Sequence, residues 1–241
     1  MVEHVGRRTI VLSRPDGELV YVTEDTSGLM PGGVSLHAGA WEGIAARLRR
    51  HPLAQPLGND WLEPALPPAT DLGVAAGGVQ PVQVERLHAL LEASAGPEQG
   101  PVQGADAPTL ALRLVATSVE ALPDLVGVGP GTTPRGDDVT LGVLLGWQLA
   151  GRSADVASLR ASLPPLLALT TTASRHFLGW AIRGAFASPV RDLALALQGH
   201  GELEAVFRRL TAWGASSGLD VAHGVRAALT VGISARQGLA A

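Results

Sequence analysis

The sequence predicts an α+β protein, with a small β-rich N-terminal subdomain over residues 1–80 and a larger α-helical domain over residues 81–241 that carries two glycine-rich loop and helix starts. Three observations predict it. Short β-branched runs punctuated by proline and glycine occupy the first part of the chain. From Gln80 onward the apolar spacing becomes helical, with Val84, Leu87, Leu90 and Leu91 on one face. The stretch Gly127 to Gly142, GVGPGTTPRGDDVTLG, then concentrates residues with special backbone and charge requirements ahead of an almost wholly apolar helix.

Taken in order, Arg8 to Ser13 and Glu18 to Glu24 are β-branched runs separated by Arg14-Pro15-Asp16-Gly17, which is hairpin chemistry. Gly32 to His37 reads as a third strand. Trp41 to Arg50 reads as a short helix with Arg47, Arg49 and Arg50 on its polar side. Proline density forbids regular elements from His51 to Pro68, and Thr70 to Ala76 is expected to return as a strand. Gly96 to Pro108 reads as a mobile surface linker. Helices are expected at Thr109 to Leu122, Asp138 to Ala150, Ala154 to Leu163, Thr171 to Ala187, Pro189 to Leu197, Glu202 to Trp213 and Leu219 to Val231, with Ser188 as cap before Pro189. Gly142 and Gly146, four apart on one face, would let a second helix come close.

Composition narrows the function classes. The 241 residues are 46% hydrophobic with a mean hydropathy of +0.22, which suits a well-buried globular protein, and a net charge of −4 supplies no basic footprint for nucleic acid. Without cysteine there are no disulfides, thiolate metal sites or thiol nucleophiles. All eighteen basic residues are arginine, so Schiff-base chemistry and a P-loop lysine are excluded. No N-terminal apolar leader is evident, and the helix after Asp138 is too short to span a bilayer, so a cytoplasmic location is expected.

A weak internal repeat links two parts of the helical region. Gly136-Asp137-Asp138-Val139-Thr140-Leu141-Gly142 matches Gly218-Leu219-Asp220-Val221-Ala222-His223-Gly224 at an offset of 82 positions, and each copy follows a hydroxyl pair, Thr132-Thr133 or Ser216-Ser217. Each copy would present backbone N–H groups and a carboxylate at a helix start, so the two could face one cavity. There the loop N–H groups of Gly129, Gly131, Thr132, Thr133, Gly136 and Gly218 attract anions, whereas Asp137, Asp138 and Asp220 repel them. Arg135, Arg175 or Arg226 could balance the charge, Mg²⁺ could bridge carboxylate and phosphate, or the aspartates could accept hydrogen bonds from an amide-bearing substrate. The plainer alternative is that Asp138 and Asp220 cap their own helices, leaving Asp137 as the ligand group. Ser174 and Arg175, in the helix opening Thr170-Thr171-Thr172-Ala173-Ser174-Arg175-His176, suit an anion or equally an ordinary cap. His223, three residues beyond Asp220, is a candidate acid or base, or a core histidine.

The block Leu125 to Asp138 resembles the L-x-G-x-G-x-G-x-T-P-x-G-D-D signature of a bacterial domain family that includes the AllH-type subunit of oxamate carbamoyltransferase, and Gly214 to Gly224 resembles its second motif, G-x-S-S-G-x-D-x-x-x-G. Thr132 stands where the family more often has leucine, and Arg135 where it more often has serine. The resemblance implies a carbamoyltransferase subunit working beside FdrA-like and AllG-like subunits in purine or allantoin nitrogen salvage, taking carbamoyl phosphate and an amide acceptor. No cofactor is then required. A non-catalytic scaffold subunit and a Mg²⁺-dependent phosphate-ligand enzyme are the alternatives. On the enzymatic reading Asp137, Asp138, Asp220 and His223 are the catalytic candidates, with Gly129, Gly131, Thr132, Thr133, Arg135, Gly136, Ser174, Arg175, Ser216, Ser217 and Gly218 binding substrate.

Overall fold

The computed structural model describes residues 1–6, 8–24, 26–36, 38–50, 73–94 and 106–238. They fall into two compact units, one of Met1–Leu72 with Phe186–Ser188 and one of Gly73–Ala185 with Pro189–Ala241. The architecture is α+β, with a small N-terminal sheet followed by a mostly helical region.

In the first unit a four-stranded sheet runs in the order β1 (Val2–Val5), β2 (Thr9–Ser13), β3 (Leu19–Thr23) and β4 (Val34–Ser35). The expected hairpin is β2–β3, antiparallel from Thr9 opposite Thr23 to Ser13 opposite Leu19. Its turn closes through Arg14 N–H to Glu18 O at 2.8 Å, with Gly17 at φ +84° and Asp16 Oδ1 accepting from Glu18 N–H. β4, the third strand expected from GGVSLH, joins β3 in parallel. Helix α1 (Ala38–Arg50) follows, and Trp41, Ala45 and Leu48 close a core with Val2, Ile10, Leu12 and Val22. β1 was not expected. It pairs antiparallel with β2 and buries Val2, while Glu3 and His4 remain exposed, so its sequence carries almost no apolar alternation.

In the second unit, residues 73–76 correct the expected returning strand: apart from an isolated bridge between Gly73 and Ala185 they form none, and residues 70–72 lie outside the described residues. The proline-dense 51–68 segment and most of the 96–108 linker lie outside them too. Helix α2 (Pro81–Ser94) is as expected. Helix α3 (Ala107–Thr117) starts inside the expected linker because Asp106 caps it, accepting from Thr109 N–H at 2.7 Å. It stops at Ser118, whose φ of +55° no helix accepts, and a 3₁₀ turn leads to the short α4 (Leu122–Leu125). Then come α5 (Arg135–Leu149), α6 (Ser153–Ser162), α7 (Thr172–Ile182), α8 (Ser188–Leu197), α9 (Leu203–Thr211) and α10 (Ser217–Gly238). Among the described residues no helix is long and apolar enough to cross a membrane.

Every residue of α5 from Gly136 to Trp147 is buried, as an all-round apolar helix requires. Its partner is α10, and glycines permit the approach. A Cβ on Gly142 would lie 2.2 Å from Val221 O, one on Gly224 would lie 2.4 Å from Val139 O, and one on Gly146 would meet Ala228 Cβ at 2.6 Å. Since 142 + 82 = 224 and 139 + 82 = 221, the first two contacts exchange under the repeat. The two copies therefore meet reciprocally, about a local two-fold, with Asp138 and Asp220 as equivalent residues.

Candidate functional site at the junction of the two glycine motifs

The first motif loop leaves α4 at Gly127, where φ is +81° and a Cβ would sit 2.4 Å from Leu169 O. Gly129 and Gly131 follow at φ +117° and +98°, both exposed. The chain returns at Gly136, whose N–H donates to Val128 O at 2.9 Å and whose Cα packs on Leu125 O so closely that a Cβ would stand 2.0 Å from it. Such positions admit only glycine. The N–H groups of Gly129, Gly131, Thr132 and Thr133 donate to no acceptor among the described residues. Loops of this kind concentrate partial positive charge. The second motif enters α10 past Gly214 at φ +73°, and Gly218 lies against Leu210 O, 1.8 Å from where its Cβ would be.

The two motifs are joined directly. Thr133 Oγ1 and Ser217 Oγ share a hydrogen bond of 2.7 Å, and Arg135 Nε lies 3.5 Å from Asp220 Oδ1. The expectation that two helix starts converge is thus met by side-chain contacts as well as by the α5–α10 crossing.

The roles expected of the three aspartates need correction. α5 begins three residues before Asp138, with Pro134 at its cap position, so neither Asp137 nor Asp138 is the N-cap. Asp220 lies likewise inside the first turn of α10. Asp137 is the internally committed one. Its Oδ1 accepts from Gly127 N–H at 2.8 Å and its Oδ2 accepts from the Thr170 hydroxyl, latching the motif loop to the segment before α7. Burial raises its pKa, and Thr170, Gly127 and Ser174 oppose the rise.

Asp138 and Asp220 form an unequal pair. They are only 4% and 3% exposed, and Oδ2 of each lacks a hydrogen-bond partner among the described residues. Burial pushes the Asp138 carboxyl up to about 8, with the charges of Asp220 and Asp137 adding to it and the Ser217 and Thr133 hydroxyls opposing. Asp220 is also raised by burial, but the Ser216 hydroxyl and the Arg135 guanidinium pull it back. Arg135 stands beside Asp220, whereas the charges bearing on Asp138 are negative, so Asp138 is the member that holds a proton near neutral pH.

His223, on α10 with Asp220, is pushed down to about 4, first by burial and then by the Arg226 charge, with Asp106 opposing. Its Nδ1 has no partner among the described residues, so it is a neutral imidazole near neutral pH. Arg226 is engaged with His88, NH1 to Nδ1 at 3.1 Å. Asp106 is the residue that sequence reasoning missed. It couples electrostatically to His223 and Arg135, which brings the start of α3 to the same junction. Its only signal was the capping pattern Asp106-Ala107-Pro108-Thr109, which says nothing about neighbours in space.

The remaining candidates divide. Thr132 is exposed and its carbonyl accepts from Thr171 Oγ1 at 2.5 Å, while Thr171 also caps α7 through Ser174 N–H at 3.2 Å. Ser174 is buried beside Asp137, with no hydrogen bond of good geometry to its hydroxyl. Arg175 is exposed and holds the carbonyls of Leu167 and Thr170 at 3.1 and 3.4 Å through its Nε and one terminal nitrogen. Ser216 stands exposed at the rim. Among the described residues, no group of three or more His, Asp or Glu is arranged to hold a metal ion.

No curated protein and no solved structure matches the chain. A family model does match, over residues 125–229, and that span holds both glycine motifs, the three aspartates and His223. The junction of α5 and α10 therefore lies in a segment similar to the family described as oxamate carbamoyltransferase subunit AllH.

Proposed function

We propose that the chain is a subunit of a carbamoyltransferase similar to oxamate carbamoyltransferase, and that the junction of its two glycine motifs handles carbamoyl phosphate and an amide acceptor. The observation that carries this reading is the joining of the two loops through Thr133 and Ser217 around two buried carboxyls with unpartnered oxygens. On this reading the free N–H groups from Gly129 to Thr133, with Arg135, take the phosphoryl oxygens. The conflict between a phosphate and three aspartates is eased in three different ways. Asp137 is turned inward onto Gly127 and Thr170, Asp220 is paired with Arg135, and Asp138 is neutral near pH 7.

Transfer forms a bond from the acceptor nitrogen to the carbamoyl carbon and breaks the carbon–oxygen bond to phosphate. The acceptor loses one proton from nitrogen and the released phosphate gains one, so no oxidant, reductant or cofactor is needed. On this reading Asp220, held against Arg135, takes the proton, and the neutral His223 on the same helix can relay it. Mg²⁺ screening the phosphate oxygens would be compatible with this chemistry, without being required by it. We place the protein in the cytoplasm, working beside FdrA-like and AllG-like subunits in purine or allantoin nitrogen metabolism.

A second reading, a supporting subunit whose motif loop docks a catalytic partner, is favoured by the exposure of Gly129, Gly131 and Thr132. Mixing the purified chain with FdrA-like and AllG-like proteins and following phosphate release from carbamoyl phosphate in the presence of oxamate tests the proposal. Turnover that disappears with Asp220→Asn in an assembled complex is the expected result. Full turnover by that variant would remove the junction from the chemistry.

A further inference from the structure

Resting on that reading of the junction, we propose that Asp138 and Asp220 together form a recognition site for a carboxamide group, Asp138 donating its carboxyl proton to the amide oxygen and Asp220 accepting an amide N–H. The argument is one of complementarity. A carboxamide, H₂N–C=O, presents a donor and an acceptor side by side, and a carboxylic acid beside a carboxylate presents the converse. Two carboxylates would offer two acceptors and repel the carbonyl, and two neutral acids would lack the charge that strengthens the N–H contact.

The surroundings enforce the asymmetry. Arg135 lies 3.5 Å from Asp220 Oδ1 and leaves Oδ2 of that residue unpartnered. The groups facing Asp138 from the loop and from α10 are the Thr133 and Ser217 hydroxyls, and the charges that bear on it are those of Asp137 and Asp220, both negative. Oδ2 of Asp138 is also unpartnered. Other buried polar atoms among the described residues also lack partners, but these two are carboxyl oxygens on equivalent residues of the repeat, 96–97% buried beside a loop with free N–H groups, and that combination marks a place built to receive a polar group. The repeat thus supplies two copies of one residue in unlike surroundings, Asp220 against a guanidinium and Asp138 against two hydroxyls and two negative charges.

The carboxamide can come from the donor or from the acceptor, because carbamoyl phosphate and oxamate both carry H₂N–C=O. Four probes separate these sources. Carbamoyl phosphate is compared with acetyl phosphate, in which methyl replaces NH₂, and oxamate is compared with oxalate. Binding of each to the full-length chain is measured by calorimetry at pH 7, with the partner subunits present in a parallel series. The expected result is that one carboxamide binds at least tenfold tighter than its counterpart; the pair showing the preference identifies the source. Asp138→Leu and Asp220→Leu, which replace buried carboxyls by an apolar group of similar size, should each reduce that preference below threefold. Asparagine should restore it at 138, where its NH₂ replaces the acid O–H, and fail to restore it at 220, where the negative charge is what the N–H requires.

Equal affinities within both pairs, rescue at 220 without rescue at 138, or no binding of either carboxamide at millimolar concentration would overturn the proposal. Its failure is distinguishable from that of the transferase reading. Carboxamide preference without turnover in the assembled complex leaves the recognition site standing and sinks the reaction. Turnover with no preference does the reverse.

Discussion

At the scale of the residue, Asp138 and His223 pull the pH dependence of folding in opposite directions. The Asp138 carboxyl is raised from its ordinary value near 4 to about 8 in the folded protein, so between those values the native state carries a proton that the unfolded chain has lost. Its contribution to stability is complete below about pH 4 and is lost as pH rises to about 8, with a limiting slope of about 1.4 kcal/mol per pH unit. His223 is lowered from 6.5 to about 4, so across that range the unfolded chain carries the extra proton and stability rises with pH. Asp137 and Asp220, both raised, add to the fall above pH 4. The net loss should therefore be clearest between about 6.5 and 8, where His223 no longer opposes Asp138. We expect the melting temperature to decline over that interval in the wild-type chain and to stay nearly flat in Asp138→Asn. A decline of equal slope in both proteins would show that Asp138 is ionised at neutral pH.

The hydroxyl contact between Thr133 and Ser217 belongs to the same scale. Thr133→Val and Ser217→Ala should each destabilise, and a double-mutant cycle should return a coupling of about 0.5–1.5 kcal/mol, the usual net value of a hydrogen bond. Urea titration of the four proteins measures it, and additive losses would mean that the loops are held together by something else.

At the scale of the element, the crossing of α5 and α10 depends on the absence of side chains. Gly142→Ala would drive a methyl to 2.2 Å from Val221 O, and backbone on both sides leaves nothing flexible to yield. The helices must separate, at a cost of roughly 2–3 kcal/mol or more by the usual penalty for overpacking. Gly179→Ala in α7, where a Cβ meets nothing within 4 Å, should instead stabilise by up to about 1 kcal/mol through helix propensity. Chemical denaturation of the two variants should move the midpoint in opposite directions.

That crossing was partly legible in the sequence: two glycines four apart on an almost wholly apolar helix announced a close neighbour, but the repeat was read as two helix starts facing one cavity and not as naming that neighbour. The β2–β3 hairpin was legible for a similar reason, since Pro15, Asp16 and Gly17 have few other uses in that order. The start of α5 was not. Aspartates are such favoured caps that Asp137 and Asp138 were read as the boundary, whereas the helix begins at Arg135 and includes Gly136, because contact with Leu125 O outweighs the poor helix propensity of glycine. Consequently the reason for choosing Asp137 over Asp138 as the ligand group fails: neither caps α5, and Asp137 is the one bonded internally. Which carboxylate is satisfied internally depends on Gly127 and Thr170, and Thr170 is 33 residues away in the chain.

At the scale of the whole molecule, the carbamoyltransferase proposal leaves two roles for the segment matched by the AllH family model: to contribute groups to the reaction, or a surface to partner subunits. Assembly and turnover separate the two. Asp138→Leu removes a buried group with an unpartnered oxygen and puts an apolar side chain in its place, so the fold and the exposed loop from Gly129 to Thr132 should persist. If the junction holds substrate, the variant should enter the complex with FdrA-like and AllG-like subunits at unchanged stoichiometry by native mass spectrometry. Phosphate release in the presence of oxamate should nevertheless fall by roughly a hundredfold or more, the usual scale for deleting a donor aimed at developing charge. Gly131→Val makes the complementary change. A Cβ there meets nothing within 4 Å, but a β-branched residue at φ +98° distorts the exposed loop while leaving the two carboxyls in place. A docking surface would lose assembly with this variant and keep both assembly and turnover with Asp138→Leu, and that pair of results would transfer the chemistry to another subunit.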